Sequence, residues 1–228
     1  MRLKTAVLFS LMLAPLAWAG AQVRVHTGDL LFVGLPSDYP PTDDTTLSGA
    51  ISAATGHKGE IHYIHVAILE VDENEQVWVV DATLKHGVDR HPFDTFLVDF
   101  TLKDGTYPYL MVMRLKNKKN ARKAREFVEN AKKMCGEGYD LYFLPDNGLH
   151  YCSELVYDAY ITPRGRHLFH AAPMNFKSED GTYPPYWVQL FQRLNRPVPQ
   201  GVLGTNPNAM SREKRLGKVG ALAVRNRP

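Results

Sequence analysis

Two β-branched runs, HVAILEV at residues 65–71 and VWVVDAT at residues 77–83, are separated only by the polar residues DENEQ. Such a pair reads as a β-hairpin, because the connection is too short for the crossover that parallel strands require. Further strands are expected in GDLLFVG (Gly28 to Gly34) and YLMVMRL (Tyr109 to Leu115). Helical spacing marks Thr46 to Ala54 and a short stretch around Pro92 to Phe100. It is clearest from Asn117 to Cys135, where Ala121, Ala124, Phe127, Val128, Ala131 and Met134 share a face and Gly136 ends the pattern. Strands come first and helices after, which predicts an α+β domain with a small antiparallel sheet and helices packed on one side. Toward the C-terminus, Pro184 to Asn195 reads as a helix carrying Trp187, Leu190, Phe191 and Leu194. The Pro- and Gly-rich Arg196 to Asn208 predicts a tail that wraps the domain.

Residues 1–21 are expected to stand outside that domain. Arg2 and Lys4 form a positive start, Ala6 to Leu16 an apolar stretch too short to span a bilayer, and Ala17-Trp18-Ala19 or Ala19-Gly20-Ala21 a small-residue cleavage site. This pattern is a signal peptide. It predicts export to a periplasmic or extracellular location, with residues 22–228 forming one domain. Roughly 205 residues are enough to bury a proper core. No later stretch is apolar enough for a membrane span. Of 27 basic and 24 acidic side chains, two basic ones fall in the leader, so the remainder is nearly neutral and carries no global nucleic-acid signal.

The segment LHYCSELVYDAY (Leu149 to Tyr160) holds one of only two cysteines. Leu155, Val156 and Ala159 give it helical spacing, and Asp146, Asn147 and Gly148 mark a loop before it. Cys152 thus falls at a helix N-terminus, where free N–H groups and the dipole favour a thiolate. The alternative reading is a buried cysteine packing as a small apolar residue. A nucleophilic thiol needs a base, and the base an orienting group. Among nine histidines, His65 begins the apolar run HVAIL at a strand mouth; His62, three residues earlier, is expected on the opposite face. Asp81 interrupts VWVVDAT, and a charge inside such a run is costly unless paired. The hairpin can set it beside His65. Glu154 reads as a favourable first-turn charge, and Tyr142 and Tyr151 as residues lining a substrate cleft. Export would permit a Cys135 to Cys152 disulfide, but a catalytic Cys152 must stay reduced, leaving Cys135 as an inert core thiol.

In this order, GDLLF, HVAILE, VVDAT and YCSELVYDAY resemble the circularly permuted NlpC/P60 cysteine hydrolases of the YiiX/YebB-like group. The resemblance covers Gly28 to Tyr160, and YDLYFLPDN (Tyr139 to Asn147) with YCSELVY is its most specific part. It implies a permuted papain-like fold and a triad of Cys152 as nucleophile, His65 as base and Asp81 as orienting acid. The family often has Ser before the His and Glu at the third position, where this chain has Ile64 and Asp81.

Acyl transfer through a thioester follows from those roles, and an exported enzyme of this kind is expected to cleave an amide in cell-wall (peptidoglycan) peptides. A second reading is a lipid acyl hydrolase or acyltransferase, which a long hydrophobic groove would favour. A third is a catalytically degenerate cell-envelope binding module, anchored by RLKNKKNARKAR (Arg114 to Arg125), whose seven basic residues and no acid suit anionic lipid or wall polymers. A plain solvated helix face gives the same pattern. No metal or other cofactor is expected: His167 and His170 lack partners at ligand spacing, H-E-x-x-H order is absent, and no Gly loop cradles phosphate.

Overall fold

The computed structural model describes residues 23–35 and 44–224; the predicted leader lies outside them. Strands β1 (Asp29–Leu35), β2 (His62–Val71), β3 (Val77–Thr83), β4 (Gly87–Pro92) and β5 (Tyr109–Leu115) come from the first half of the chain. The second half supplies β6 (Ala172–Pro173), β7 (Leu203–Gly204) and β8 (Leu216–Ala221). Six of them form one antiparallel sheet in the order β4-β3-β2-β1-β5-β8, while β6 and β7 pair separately. The expected hairpin is β2–β3, and the four strands read from the sequence are the inner four. Every residue of β1 is buried, because both faces of the sheet are covered.

The two faces use alternate residues. On one, Phe32, Val66, Ile68 and Val80 meet Phe127, Val128 and Ala131 of α4 (Ala124–Lys133) and Leu155 and Val156 of α5 (Cys152–Ala159). On the other, Leu31, Val33, Ala67, Leu69 and Val79 meet Phe96 and Leu97 of α2 (Phe93–Asp99). Helices therefore lie on both faces, not on one side as expected. A third cluster joins Ala50 of α1 (Leu47–Thr55) to Phe143, Met174, Phe176 and the Trp187, Leu190 and Phe191 face of α6 (Pro185–Arg193).

The helix expected over Asn117 to Cys135 is interrupted. α3 (Lys118–Ala121) starts at Asn117, whose side chain accepts from the N–H groups of Lys119 and Asn120, and α4 begins only at Ala124. The Arg122 N–H still bonds the Lys118 carbonyl in helical fashion at 3.1 Å, and the Lys123 N–H then bonds the Asn120 carbonyl three residues back at 2.9 Å, a tighter turn at which the helix is interrupted. Cys135 lies beyond the end of α4 and is exposed, not a core thiol; both cysteines are free. After Arg196 the chain forms β7, α7 (Pro207–Ser211) and the edge strand β8.

Candidate active site

Cys152 is the first residue of α5, with Tyr151 in extended conformation as its N-cap. A first-turn position leaves the Cys152 backbone N–H without an intrahelical partner. α5 packs on β2 and β3, and the site lies where those strands part. Their pairing runs from Ile68–Val80 to Val71–Val77. Beyond it, Asp81, Ala82 and Thr83 pair with β4 instead.

A bulge aims His65 into the gap. β1 matches Val33 with His65 and then Gly34 with Tyr63, so Ile64 is an extra residue. Tyr63 and Val66 consequently face the same core while Ile64 faces the other, against strict alternation. Gly34 is required there, since a Cβ would come within 2.3 Å of Ile61. The backbone at the bulge is held by Asn208 of α7: its Oδ1 accepts from the Tyr63 N–H at 2.8 Å and its Nδ2 donates to the Tyr63 carbonyl at 2.9 Å. His62 turns to α1 instead, bonded to Ser52 Oγ at 2.7 Å.

His65 is 6% exposed and Asp81 1%. His65 Nε2 meets Asp81 Oδ2 at 2.7 Å, and the ring shares with Cys152 the wall of one hollow, near enough for the sulfur to act on its protonation, with Nδ1 as the nitrogen not taken by Asp81. Burial alone would lower the His65 pKa. The charge on Cys152 and the ring's hydrogen bonding to Asp81 and Cys152 outweigh it and push the ring up to about 10. The aromatic rings of Phe100 and Phe96, at 4.6 and 6.1 Å, pack the imidazole in place. The geometry thus brings together the three residues singled out from the sequence.

A fourth group was missed. His91 of β4, 6% exposed, places Nε2 3.0 Å from the other Asp81 oxygen, so one buried carboxylate bridges two imidazoles. Burial opposes ionisation of Asp81, but the bonds to His65 and His91 hold its carboxyl below the usual range. Burial likewise opposes protonation of His91, and Asp81 raises its pKa above the ordinary value. GVDRHP shows no apolar alternation, so only the pairing of Asp81 could have pointed to a second partner.

Two hollows meet at the thiol. One, of about 350 Å³, is lined by Ile64, His65, Thr83, Lys85, Asp99 and Phe100. The other, of about 40 Å³, is lined by Phe143, Tyr151, Met174, Phe176, Trp187 and Thr205. Cys152, Ile51 and Tyr139 border both. Tyr151 thus lines a hollow, its hydroxyl accepting from the Thr205 N–H at 3.0 Å. Tyr142 borders neither; its ring faces the Arg196 guanidinium at 5.7 Å. Glu154 is not the first-turn charge expected from its position. It is buried, its pKa pushed up to about 8 by desolvation and by Asp140, and it accepts from the Tyr151 N–H at 3.4 Å.

An antiparallel sheet that sets a helix-start cysteine beside a strand-borne histidine, with the histidine first in the chain, has the order and layout of a permuted papain-like protein. The family of permuted papain-like amidase enzymes, YaeF/YiiX, C92, matches residues 24–220, and the chain belongs to that family. Among solved structures it is similar to YiiX from Escherichia coli O157:H7, with 22% identity, a TM-score of 0.63, and coverage of 86% of this chain and 96% of that one. No curated protein matches. The YiiX structure is described as that of a metalloprotein. Here the residues do not fit a metal centre: among the described residues no three His, Cys, Asp or Glu side chains converge as ligands, and the Nε2 atoms of His65 and His91 are both turned to one carboxylate.

The paired environment of Cys152 has a chemical consequence. Cys135 is exposed, but partial burial and the nearby Asp89 raise its pKa. Substoichiometric iodoacetamide at neutral pH is expected to modify Cys152 ahead of Cys135, with Cys135 catching up only in alkaline solution. Peptide mapping reads the ratio, and faster loss of Cys135 at neutral pH would contradict an activated Cys152.

Proposed function

We propose that the protein is an exported cysteine amidase that cleaves an amide bond in cell-wall peptides through a thioester on Cys152. The observation that carries this reading is the buried chain from the thiol through His65 to Asp81, with His65 Nε2 2.7 Å from the carboxylate. Kinship with NlpC/P60 hydrolases is the finer assignment, and it rests on the sequence motifs.

The Cys152 sulfur attacks the amide carbon, and the carbonyl electrons move to oxygen. The protonated His65 Nδ1 then gives its proton to the leaving nitrogen as the carbon–nitrogen bond breaks. A thioester remains. Neutral His65 takes a proton from water, hydroxide adds to the thioester, and thiolate leaves, giving a carboxylic acid and the free enzyme. The oxyanion has the Cys152 backbone N–H at the start of α5 as one donor. Tyr139 is the second in this reading, since it borders both hollows and its phenol feels the charge on Cys152. A turnover number unchanged in Tyr139→Phe would remove it from that role.

A water needs about 10–15 Å³ by the same measure, so the aromatic hollow of about 40 Å³ takes a small side chain, and the hollow of about 350 Å³ on the His65 side has room for the rest of the substrate. Incubation with purified peptidoglycan fragments and, separately, with phospholipid vesicles, followed by mass spectrometry, tests the reading. Peptides with a new amine and a new carboxylate are expected. Release of free fatty acid without peptide cleavage would replace the wall-peptide reading with the lipid one.

A further inference from the structure

The basic run that the sequence presents as a stretch of helix is, in the fold, half of a larger feature. Of its members, Arg114 is committed to Asp29 at 2.6 Å and Lys123 to Glu126 at 3.6 Å. Lys116, Lys118, Lys119, Arg122 and Arg125 are exposed and take part in none of the ion pairs among the described residues. β8 pairs with β5 so that Lys218 lies opposite Met113, and the Lys116 N–H donates to the Arg215 carbonyl at 2.8 Å. This pairing brings Lys214, Arg215 and Lys218, also exposed and without ion pairs, to the same edge from almost a hundred residues further along the chain. The acids within these segments are already engaged, Glu126 by Lys123 and Glu213 by His170. A protein nearly neutral as a whole has therefore gathered seven uncompensated cations on one sheet edge and on the α3 segment that packs against β5, with Arg125 following in the first turn of α4.

The start of the described chain lies against the same edge. Arg114 donates to the Arg24 carbonyl at 2.9 Å, and a Cβ on Gly220 of β8 would come within 2.6 Å of Val23. No aromatic side chain is interleaved in either basic segment, as a stacking platform for single-stranded nucleic acid requires.

We infer that the β5–α3–β8 edge is a docking surface for an anionic bilayer, one that holds the protein on the membrane face independently of its catalytic chemistry. Each cation near such a surface adds attraction that falls off within a Debye length, so binding is both additive and salt-sensitive. The test uses residues 22–228, the chain without its leader, and co-sedimentation with vesicles of equal parts phosphatidylglycerol and phosphatidylcholine, or of phosphatidylcholine alone. The double variant Lys118→Glu/Lys218→Glu is expected to bind the anionic vesicles at least about tenfold more weakly than the wild type, and the neutral vesicles equally. About 0.5 M salt should reduce wild-type binding in the same way. The double variant Lys58→Glu/Lys103→Glu, which reverses two exposed cations elsewhere, should stay within about twofold of the wild type. Equal behaviour of the two double variants would overturn the proposal, because net charge and not this edge would then be responsible. So would tighter, patch-dependent binding to a DNA duplex than to anionic vesicles, which would make the edge a nucleic-acid site.

Discussion

Cys152→Ala is expected to bring amide cleavage down to background, a loss of about 10⁶-fold in turnover. The reason is covalent. Neither His65 nor Asp81 lies where it could form the acyl intermediate, and a water placed by the variant site would lack the sulfur that His65 is paired with. Members of such a unit are strongly non-additive, so Cys152→Ala/His65→Ala should be no slower than Cys152→Ala alone. The fold should survive. Cys152 is 3% exposed and lies among apolar neighbours, and alanine removes a single heavy atom. Turnover of a wall peptide by mass spectrometry, beside a thermal melt of each variant, measures both effects. A folded Cys152→Ala that kept more than about a thousandth of wild-type activity would end the thioester mechanism.

The parts of the fold that were legible in the sequence share one physical property. β1, β2, β3 and β5 are covered on both faces, so nearly all their side chains are apolar and the runs stand out. β4 and β8 are the outer strands of the sheet, and their sequences, GVDRHP and LGKVGA, carry charge, Gly and Pro. Those residues keep an exposed edge from pairing with another molecule, and they also hide the strand from any reading based on hydropathy. The broken helix is a different case: its apolar spacing is continuous from Ala121 to Met134, and nothing in that spacing marks the tighter turn in which the Lys123 N–H bonds the Asn120 carbonyl.

The site divides along the same line. Cys152, His65 and Asp81 could be found because each is a reactive or polar group in an apolar setting on an inner element. His91 and Asn208 sit on an edge strand and in the tail, where a polar residue is unremarkable, and only the fold brings them to Asp81 and to the bulge. Strand alternation set His62 and His65 on opposite faces, but the bulge at Ile64 broke the count on which that expectation rested. Glu154 follows a sequence rule by position and departs from it by burial: near pH 7 its raised pKa leaves it mostly neutral, a hydrogen-bonding cap and not a charge.

Asp81→Asn is expected to lower kcat/KM by about 10²- to 10⁴-fold and leave a measurable residue. Asparagine is nearly the same shape, yet it carries one acceptor and one donor where the carboxylate accepts from both His65 and His91. If its carbonyl faces His65, its NH₂ meets His91 Nε2, and His91 must move its proton to Nδ1, which already lies 3.4 Å from the Pro92 carbonyl. The fold can make that exchange, but the negative charge that favours protonated His65 is gone. Wild-type acylation should fall off only as pH rises through about 10, where His65 loses its proton, and in Asp81→Asn that limb should move to lower pH. Stability follows the same signs. The raised His65 pKa contributes stability that is complete below its ordinary value of 6.5 and is lost as pH climbs through about 10. The lowered Asp81 pKa contributes stability above the ordinary carboxylate range that is lost as acid protonates it. His91→Phe keeps a ring to stack on Phe96 and removes only the second anchor of the carboxylate, so it should cost less than Asp81→Asn, about tenfold, with the alkaline limb shifted in the opposite direction or not at all. That difference separates two roles. His65 is addressed by the charge of Asp81, whereas His91 fixes where that charge sits, and an alkaline limb unmoved in Asp81→Asn would remove the carboxylate from the catalytic chain altogether.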